Sequence, residues 1–154
     1  MNLPKDLQIR PYQPSDYDGI CRVHDEARKI ELSLASLDAA FLPFSVASER
    51  EGFFDYPHID VAVIGQTVAG FSAYTDEELA WLYVAPEMMR KGIGRKLAER
   101  ALETEPGIRD VEALYGNDPA RKLYESLGFE LKEIAEGVMP GNESFRVKVY
   151  RMRR

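Results

Sequence analysis

A short basic, glycine-containing stretch is the part of the sequence best suited to hold an anion. It comprises Arg90, Lys91, Gly92, Ile93, Gly94, Arg95 and Lys96. A turn that opens a helix presents unpaired backbone N–H groups and the positive end of the helix dipole. Glycine lets a ligand approach the backbone closely, and the cationic side chains add positive charge. The stretch predicts a pyrophosphate site, and its alternative is a solvated helix start.

Glycine spacing excludes two common nucleotide folds. Only Gly92-Ile93-Gly94 is present, without the third glycine of a dinucleotide-binding turn and without the Gly-Lys-Ser/Thr ending of a P-loop. The predicted anion site therefore belongs to another class of phosphate-binding protein.

The elements that position this stretch follow from hydrophobic periodicity and from turn residues. Predicted strands cover residues 7–10, 59–64, 68–74, 79–84, 111–115, 129–135 and 145–152. Predicted helices cover residues 16–34, 92–103 and 119–127, and a broken helical segment covers 36–56. Ser15 is the expected cap of the first helix, Gly65-Gln66-Thr67 the turn of a hairpin, and residues 137–142 a closing loop. This order predicts an α/β or α+β chain built on one mixed sheet.

Size and charge set further limits. The chain has 154 residues, which suits a single domain over 1–154. Its 20 Lys and Arg residues against 26 Asp and Glu residues give a net charge of −6, which argues against general nucleic-acid binding. Cys21 is the only cysteine, and no apolar run is long enough for a membrane span. We therefore expect a cytoplasmic protein with no metal, nucleic-acid or membrane partner.

Two segments in order resemble the GNAT superfamily of N-acetyltransferases. The segment Leu82-Tyr83-Val84-Ala85-Pro86-Glu87, followed by Arg90 to Leu97, is similar to that family's strand, pyrophosphate loop and helix. Met89 departs from the family's Gln/Arg at the first loop position. The segment from Asn117 to Phe129 resembles the family's Asn-x-x-Ala-x-x-x-Tyr-x-x-x-Gly-Phe pattern.

The resemblance implies a fold and a donor. The fold is a mixed, mostly antiparallel central sheet flanked by helices, with splayed parallel strands forming the acetyl-CoA cleft. The backbone of Leu82, Tyr83 and Val84 would pair with the pantetheine arm, as an added strand does. Arg90, Lys91, Gly92, Ile93, Gly94 and Arg95 would hold the pyrophosphate. No metal is implied.

The resemblance also assigns chemistry to single residues. Asn117 would contact the pantetheine arm, and Tyr124 would protonate the departing thiolate; the alternative for Tyr124 is a core aromatic. Acetyl transfer needs a base for the acceptor amine, and Glu112 is the first candidate, from its spacing to Tyr124. Glu78 is the second candidate, and an exposed surface carboxylate is the alternative. The N–H of Val84 would stabilise the developing oxyanion.

Acceptor residues are less sharply indicated. His24, Arg28 and Glu31 share neighbouring turns of the first helix, where this superfamily shapes its acceptor site; surface residues are the alternative. The aromatic stretch 41–54 and the loop 137–144 would frame the cleft. We predict direct transfer of acetyl to a primary amine, either a small molecule or a peptide N-terminus. The competing hypotheses are a non-catalytic acyl-CoA sensor and a structural protein, and a homodimer is possible in each case.

Overall fold

The computed structural model describes residues 3–154, and one seven-stranded sheet forms the centre of that region. The strands are β1 (Leu7–Pro11), β2 (His58–Ile64), β3 (Thr67–Tyr74), β4 (Glu78–Val84), β5 (Asp110–Leu114), β6 (Glu130–Met139) and β7 (Asn142–Arg153). Their order across the sheet is β1-β2-β3-β4-β5-β7-β6. Every neighbouring pair is antiparallel except β4 and β5, which are parallel. The predicted mixed, mostly antiparallel sheet is confirmed.

Helices cover both faces of the sheet. They are α1 (Tyr17–Leu34), α2 (Phe44–Arg50), α3 (Ile93–Thr104) and α4 (Asp118–Ser126). Ile20 and Val23 of α1 pack with Trp81 of β4 in one buried cluster, whereas Leu97 of α3 packs with Leu82 in another. Since neighbouring residues of a strand point to opposite faces, α1 and α3 lie on opposite sides of the sheet.

Two local predictions are wrong. Ser15 does not cap α1, because a 3₁₀ turn (Pro14–Asp16) precedes the helix and Asp16 accepts the Gln13 N–H at 2.8 Å. The expected loop at 137–142 shrinks to a two-residue turn, because β6 and β7 stay paired as far as Met139 and Asn142. The broken helical segment is confirmed as α2 between two short 3₁₀ helices.

Parallel strands β4 and β5 separate soon after they meet. Only Glu78 with Asp110 and Leu79 with Val111 are paired between them. On its other side β4 stays paired with β3 as far as Val84, opposite Gly70. The sheet therefore contains a wedge-shaped gap along the second half of β4, as the resemblance predicted.

Candidate functional site

The turn before α3 has the geometry of an anion-binding site. Arg90 and Gly92 have φ angles of 64° and 86°, in the left-handed region that glycine adopts most easily. The Lys96 N–H donates to the Gly92 carbonyl at 3.1 Å, which closes the first turn of the helix. The amides before Lys96 have no intrahelical acceptor. They belong to Ile93, Gly94 and Arg95.

Basic side chains surround this turn. Arg90 and Lys91 are exposed, and Arg95 donates from Nη1 to Ser126 Oγ of α4 at 2.7 Å. A second contact joins the turn to α1, where Arg22 lies 3.1 Å from the Glu87 carboxylate. The turn is thus fixed on two sides while its cationic groups face solvent.

Backbone groups of β4 are turned toward the gap. The Ala85 N–H donates to the Ala69 carbonyl of β3 at 2.8 Å, so Ala85 faces β3. Because successive residues alternate, Tyr83 also directs its backbone toward β3, whereas Leu82 and Val84 direct theirs toward β5. Leu82 and Val84 can therefore pair with an extended ligand in the gap, and Tyr83 meets the cleft through its side chain.

Tyr124 lies on α4 beside the gap. It is 6% exposed and packs with Val111 and Ala113 of β5, with its ring centroid 6.1 Å from that of Phe129. Burial, and then the nearby Glu31 carboxylate, raise the pKa of the Tyr124 hydroxyl well above its ordinary value. The hydroxyl is therefore protonated at neutral pH, which is the form that a proton donor requires.

Glu31 links the two walls of the gap. It accepts hydrogen bonds from the Tyr83 hydroxyl at 3.1 Å and from Asn117 Nδ2 at 3.2 Å, and it pairs with Arg28. Asn117 also caps α4, accepting the Ala120 N–H at 3.3 Å. Tyr83 belongs to β4 and Asn117 follows β5, so a single carboxylate of α1 spans the opening.

A cavity of about 180 Å³ opens between the gap and the α1 side of the sheet. Its lining includes His24, Arg28, Glu31, Leu42, Ala47, Glu51, Trp81, Tyr83, Glu112, Ala113, Leu114, Met139, Pro140 and Asn142. The expected α1 residues and the turn between β6 and β7 therefore meet here. Phe44 and Phe53, from the aromatic stretch expected to frame the cleft, lie in the core behind the cavity.

The two carboxylates predicted as bases lie toward the outside. Glu112 lines the cavity, but its side chain is 49% exposed and accepts from Arg151 Nε at 2.8 Å. Glu78 lines an outer groove of about 460 Å³, and Glu51 and Glu112 line both this groove and the cavity. Desolvation, and then Glu112 and Asp110, raise the pKa of Glu78. Neither is brought beside Tyr124 by a hydrogen bond.

Glu51, just past the end of α2, is a cavity residue that the sequence did not reveal. Glu51 is exposed, but nearby protein atoms partly desolvate its carboxylate and raise its pKa to about 7. Arg28 opposes that rise, and Glu143 adds to it. No local pattern marks Glu51, because the chain segments around it are distant in sequence.

Two kinds of feature are absent from the described residues. Within residues 3–154, no helix is both long and apolar enough to cross a membrane. Over the same range, no three His, Cys, Asp or Glu side chains gather in a way that could hold a metal ion.

Solved structures share this fold at low sequence identity. A GCN5-related N-acetyltransferase from Rhodopseudomonas palustris matches with a TM-score of 0.78 and 17% identity, over 100% of this chain and 96% of that one. The ribosomal-protein-S18-alanine N-acetyltransferase of Escherichia coli matches with a TM-score of 0.67 and 21% identity, over 96% and 92%. The Salmonella typhimurium protein yncA, with its cofactor acetyl-CoA, matches with a TM-score of 0.65 and 20% identity, over 97% and 94%.

Sequence comparison supplies the family. No protein in a curated collection matches the chain. The family model of the acetyltransferase (GNAT) domain matches residues 51–131, which is more than half of the chain. That range begins at Glu51 of the cavity and includes β4, the anion-binding turn and α4 with Tyr124. The chain therefore belongs to the GNAT acetyltransferase family and is an acyltransferase.

Proposed function

We propose that the protein transfers the acetyl group of acetyl-CoA directly to a primary amine. One observation carries the proposal. The free edge of β4 at Leu82 and Val84 lies between the anion-binding turn of α3 and a cavity lined by carboxylates. A long ligand with a phosphate end and a reactive end suits this arrangement, and so does a cationic acceptor entering from the cavity.

The residues of the donor side fit acetyl-CoA. The left-handed Gly92 and the free amides at the start of α3 suit a pyrophosphate. Leu82 and Val84 offer N–H and C=O groups to an extended arm, as an edge strand does. When bound, acetyl-CoA supplies the activated acetyl thioester that the amine attacks.

Tyr124 is proposed to protonate the thiolate as it leaves. Its buried hydroxyl stays protonated at neutral pH for the reason given above, and it lies on the α4 side of the gap. The Val84 N–H, which is turned toward the gap, is proposed to stabilise negative charge on the carbonyl oxygen. Asn117 is already oriented toward the gap by its bond to Glu31.

The acceptor side favours a cation. Glu31, Glu51 and Glu112 contribute carboxylates to the cavity, whereas Arg28 pairs with Glu31. The ring of Trp81 adds an aromatic surface that attracts ammonium groups. A small-molecule amine and a peptide N-terminus both satisfy this chemistry, since the outer groove leaves room beyond the cavity.

The first experiment measures donor binding by titration calorimetry with acetyl-CoA and then CoA. We expect micromolar binding that disappears when Gly92 and Gly94 are both replaced by Val. Gly137→Val is the matched control, because a Cβ at Gly137 would meet no atom within 4 Å. Unchanged binding in the Gly92/Gly94 variant would contradict the site.

A second experiment follows free thiol release with a panel of amines that covers polyamines, amino sugars, amino acids and short peptides. Transfer to one class identifies the acceptor. Binding of acetyl-CoA without transfer to any member would favour the alternative, a non-catalytic acyl-CoA sensor.

A further inference from the structure

His24 is a buried histidine with a fixed orientation. It is only 2% exposed, and its Nδ1 lies 2.9 Å from Asp25 Oδ1. The same Asp25 oxygen accepts the backbone N–H of Phe44 at 2.8 Å, which anchors the carboxylate to the start of α2. Asp25 thus joins α1 to α2 and holds the imidazole in one position.

These contacts determine which ring nitrogen carries the proton. A carboxylate can only accept, so the neutral imidazole of His24 must carry its hydrogen on Nδ1. Its Nε2 is then left with a free lone pair. Across residues 3–154 this Nε2 has no hydrogen-bond partner, and His24 is one of the residues that line the cavity.

Aromatic packing prevents the ring from turning away. Its centroid lies 5.3 Å from that of Phe44, 6.1 Å from that of Trp81 and 5.2 Å from that of Tyr83. Tyr83 belongs to the part of β4 that borders the gap, and the cavity also touches Ala113 of β5. An amine in this one cavity can therefore meet both His24 and the gap.

The carboxylates of the cavity are less suited to take a proton from that amine. Glu31 already receives hydrogen bonds from Tyr83, Asn117 and Arg28, so its oxygens are occupied by other donors. Glu112 is paired with Arg151. Glu51 lies on the rim, between the cavity and the outer groove.

We propose that His24 is the general base of the reaction and that Asp25 is its positioning residue. The inference rests on the proposed acetyl transfer. The acceptor ammonium gives one proton to Nε2 of His24, and its nitrogen lone pair becomes free to attack. As the new C–N bond forms and the C–S bond breaks, Tyr124 gives its proton to the sulfur, and the second proton that the nitrogen loses restores the Tyr124 hydroxyl. One proton is released overall, and it leaves from His24.

Surrounding charges support a neutral imidazole. Burial lowers the pKa of His24, and Arg28 adds to the lowering, while Asp25 and Glu31 oppose it. The other titratable groups facing the same cavity are Tyr83, Glu51 and Glu112. Since the base must be unprotonated, kcat at saturating amine falls as pH decreases through a His24 pKa that lies below the usual value of 6.5.

Nuclear magnetic resonance of the imidazole nitrogens tests the geometry without any activity. The chain has two histidines, and His58→Gln leaves a single signal set to assign to His24. We expect a protonated Nδ1, an unprotonated Nε2 and a pKa below that of an exposed histidine. A proton on Nε2 at neutral pH would overturn the inference.

Kinetics test the role. His24→Gln should lower kcat by roughly 100- to 10,000-fold and remove the acidic limb of kcat against pH, with acetyl-CoA affinity unchanged. Asp25→Asn keeps the ring but removes the charge that favours imidazolium, so the limb should move to lower pH. His58→Gln is the control, and it should leave kcat and the limb unchanged.

The outcomes separate this inference from the proposed function. If the wild-type protein transfers acetyl and His24→Gln retains kcat and the limb, the inference is wrong and Glu51→Gln becomes the variant to examine. If the wild-type protein neither binds acetyl-CoA nor acetylates any amine, the proposed function fails and the assignment of a base fails with it.

Discussion

The two sides of the cleft are formed by different parts of the chain, one mainly by backbone groups and the other by side chains. The proposed donor side is mainly backbone: the free amides before Lys96, the left-handed Gly92, and the edge of β4 at Leu82 and Val84. The proposed acceptor side consists of side chains, such as Glu31, that come from separate segments of the chain. A backbone site tolerates changes of side chain and fails when bulk is added, whereas a side-chain site can change its specificity through single substitutions.

A substitution of Tyr124, where the two sides meet, should have a larger effect than one of Gly70, Glu51 or Glu112. Tyr124→Phe keeps the packing and removes the proton donor, so we expect kcat to fall by roughly 100-fold or more. Affinity for acetyl-CoA should change little, because the donor side is backbone. Steady-state kinetics and calorimetry measure the two quantities, and equal kcat in both proteins would exclude the role of acid.

Added bulk at Gly70 tests the backbone side. A Cβ at this position would lie 2.8 Å from the Tyr83 carbonyl oxygen and 3.5 Å from the Val84 Cα. Gly70→Ala should therefore shift β4, lower the free energy of unfolding by about 1–3 kcal/mol and weaken acetyl-CoA binding. Chemical denaturation measures the first effect, with Gly137→Ala as control; an unaltered binding constant would mean that the edge of β4 is not used.

The pH dependence of stability in a Glu51 variant tests the side of the cleft that is formed by side chains. Its folded-state pKa of about 7 lies above the ordinary 4.5, so the folded protein prefers the protonated form. Stability is therefore lost as pH rises from about 4.5 to 7, and Glu51→Gln should remove this loss. Allowing for contact with solvent, we expect the variant to be more stable by about 1 kcal/mol at pH 8 and equal to wild type at pH 4. Thermal unfolding at both pH values is the measurement.

Glu112 should give the smallest effect. Its partner Arg151 is half-exposed, and a solvent-exposed ion pair of this kind contributes about 0–1 kcal/mol. Glu112→Gln should change unfolding free energy within that range and kcat only slightly. If this variant loses the acidic limb while His24→Gln keeps it, Glu112 is the base, as its spacing to Tyr124 first indicated.

The same contrast explains what could be predicted from the sequence. The strand, turn and helix from Leu82 to Lys96 are contiguous, so local pattern and family resemblance together predicted the elements, the sheet and the gap between β4 and β5. Ser15 and the loop at 137–142 were wrong because a cap and a turn depend on one or two hydrogen bonds that periodicity does not reveal. The roles of the predicted site residues, the single domain, the compartment and the homodimer stay predictions.

Acceptor residues were harder to predict, because tertiary packing brings them together. Glu31 was named only as one of three residues on a helix, and its bonds to Tyr83 and Asn117 span 52 and 86 positions of sequence. The bond between His24 and Asp25 is local, but the place of His24 in the lining of the cavity depends on residues of β4 and α2. A pattern along the chain contains no such information.

The separation of β4 from β5 has a mechanical consequence. Within the sheet, β1 to β4 form one half and β5, β6 and β7 form the other. The two halves are joined by strand pairing at only two positions of β4 and β5. The two halves are joined at one end of the gap, and Glu31 bridges the open end through its hydrogen bonds to Tyr83 and Asn117. An extended ligand bound along Leu82 and Val84 would replace the hydrogen bonds that are missing between β4 and β5. Binding would then make both halves of the sheet more rigid and slow the exchange of amide hydrogens along the gap. The binding free energy of the ligand would thereby add to the stability of the fold.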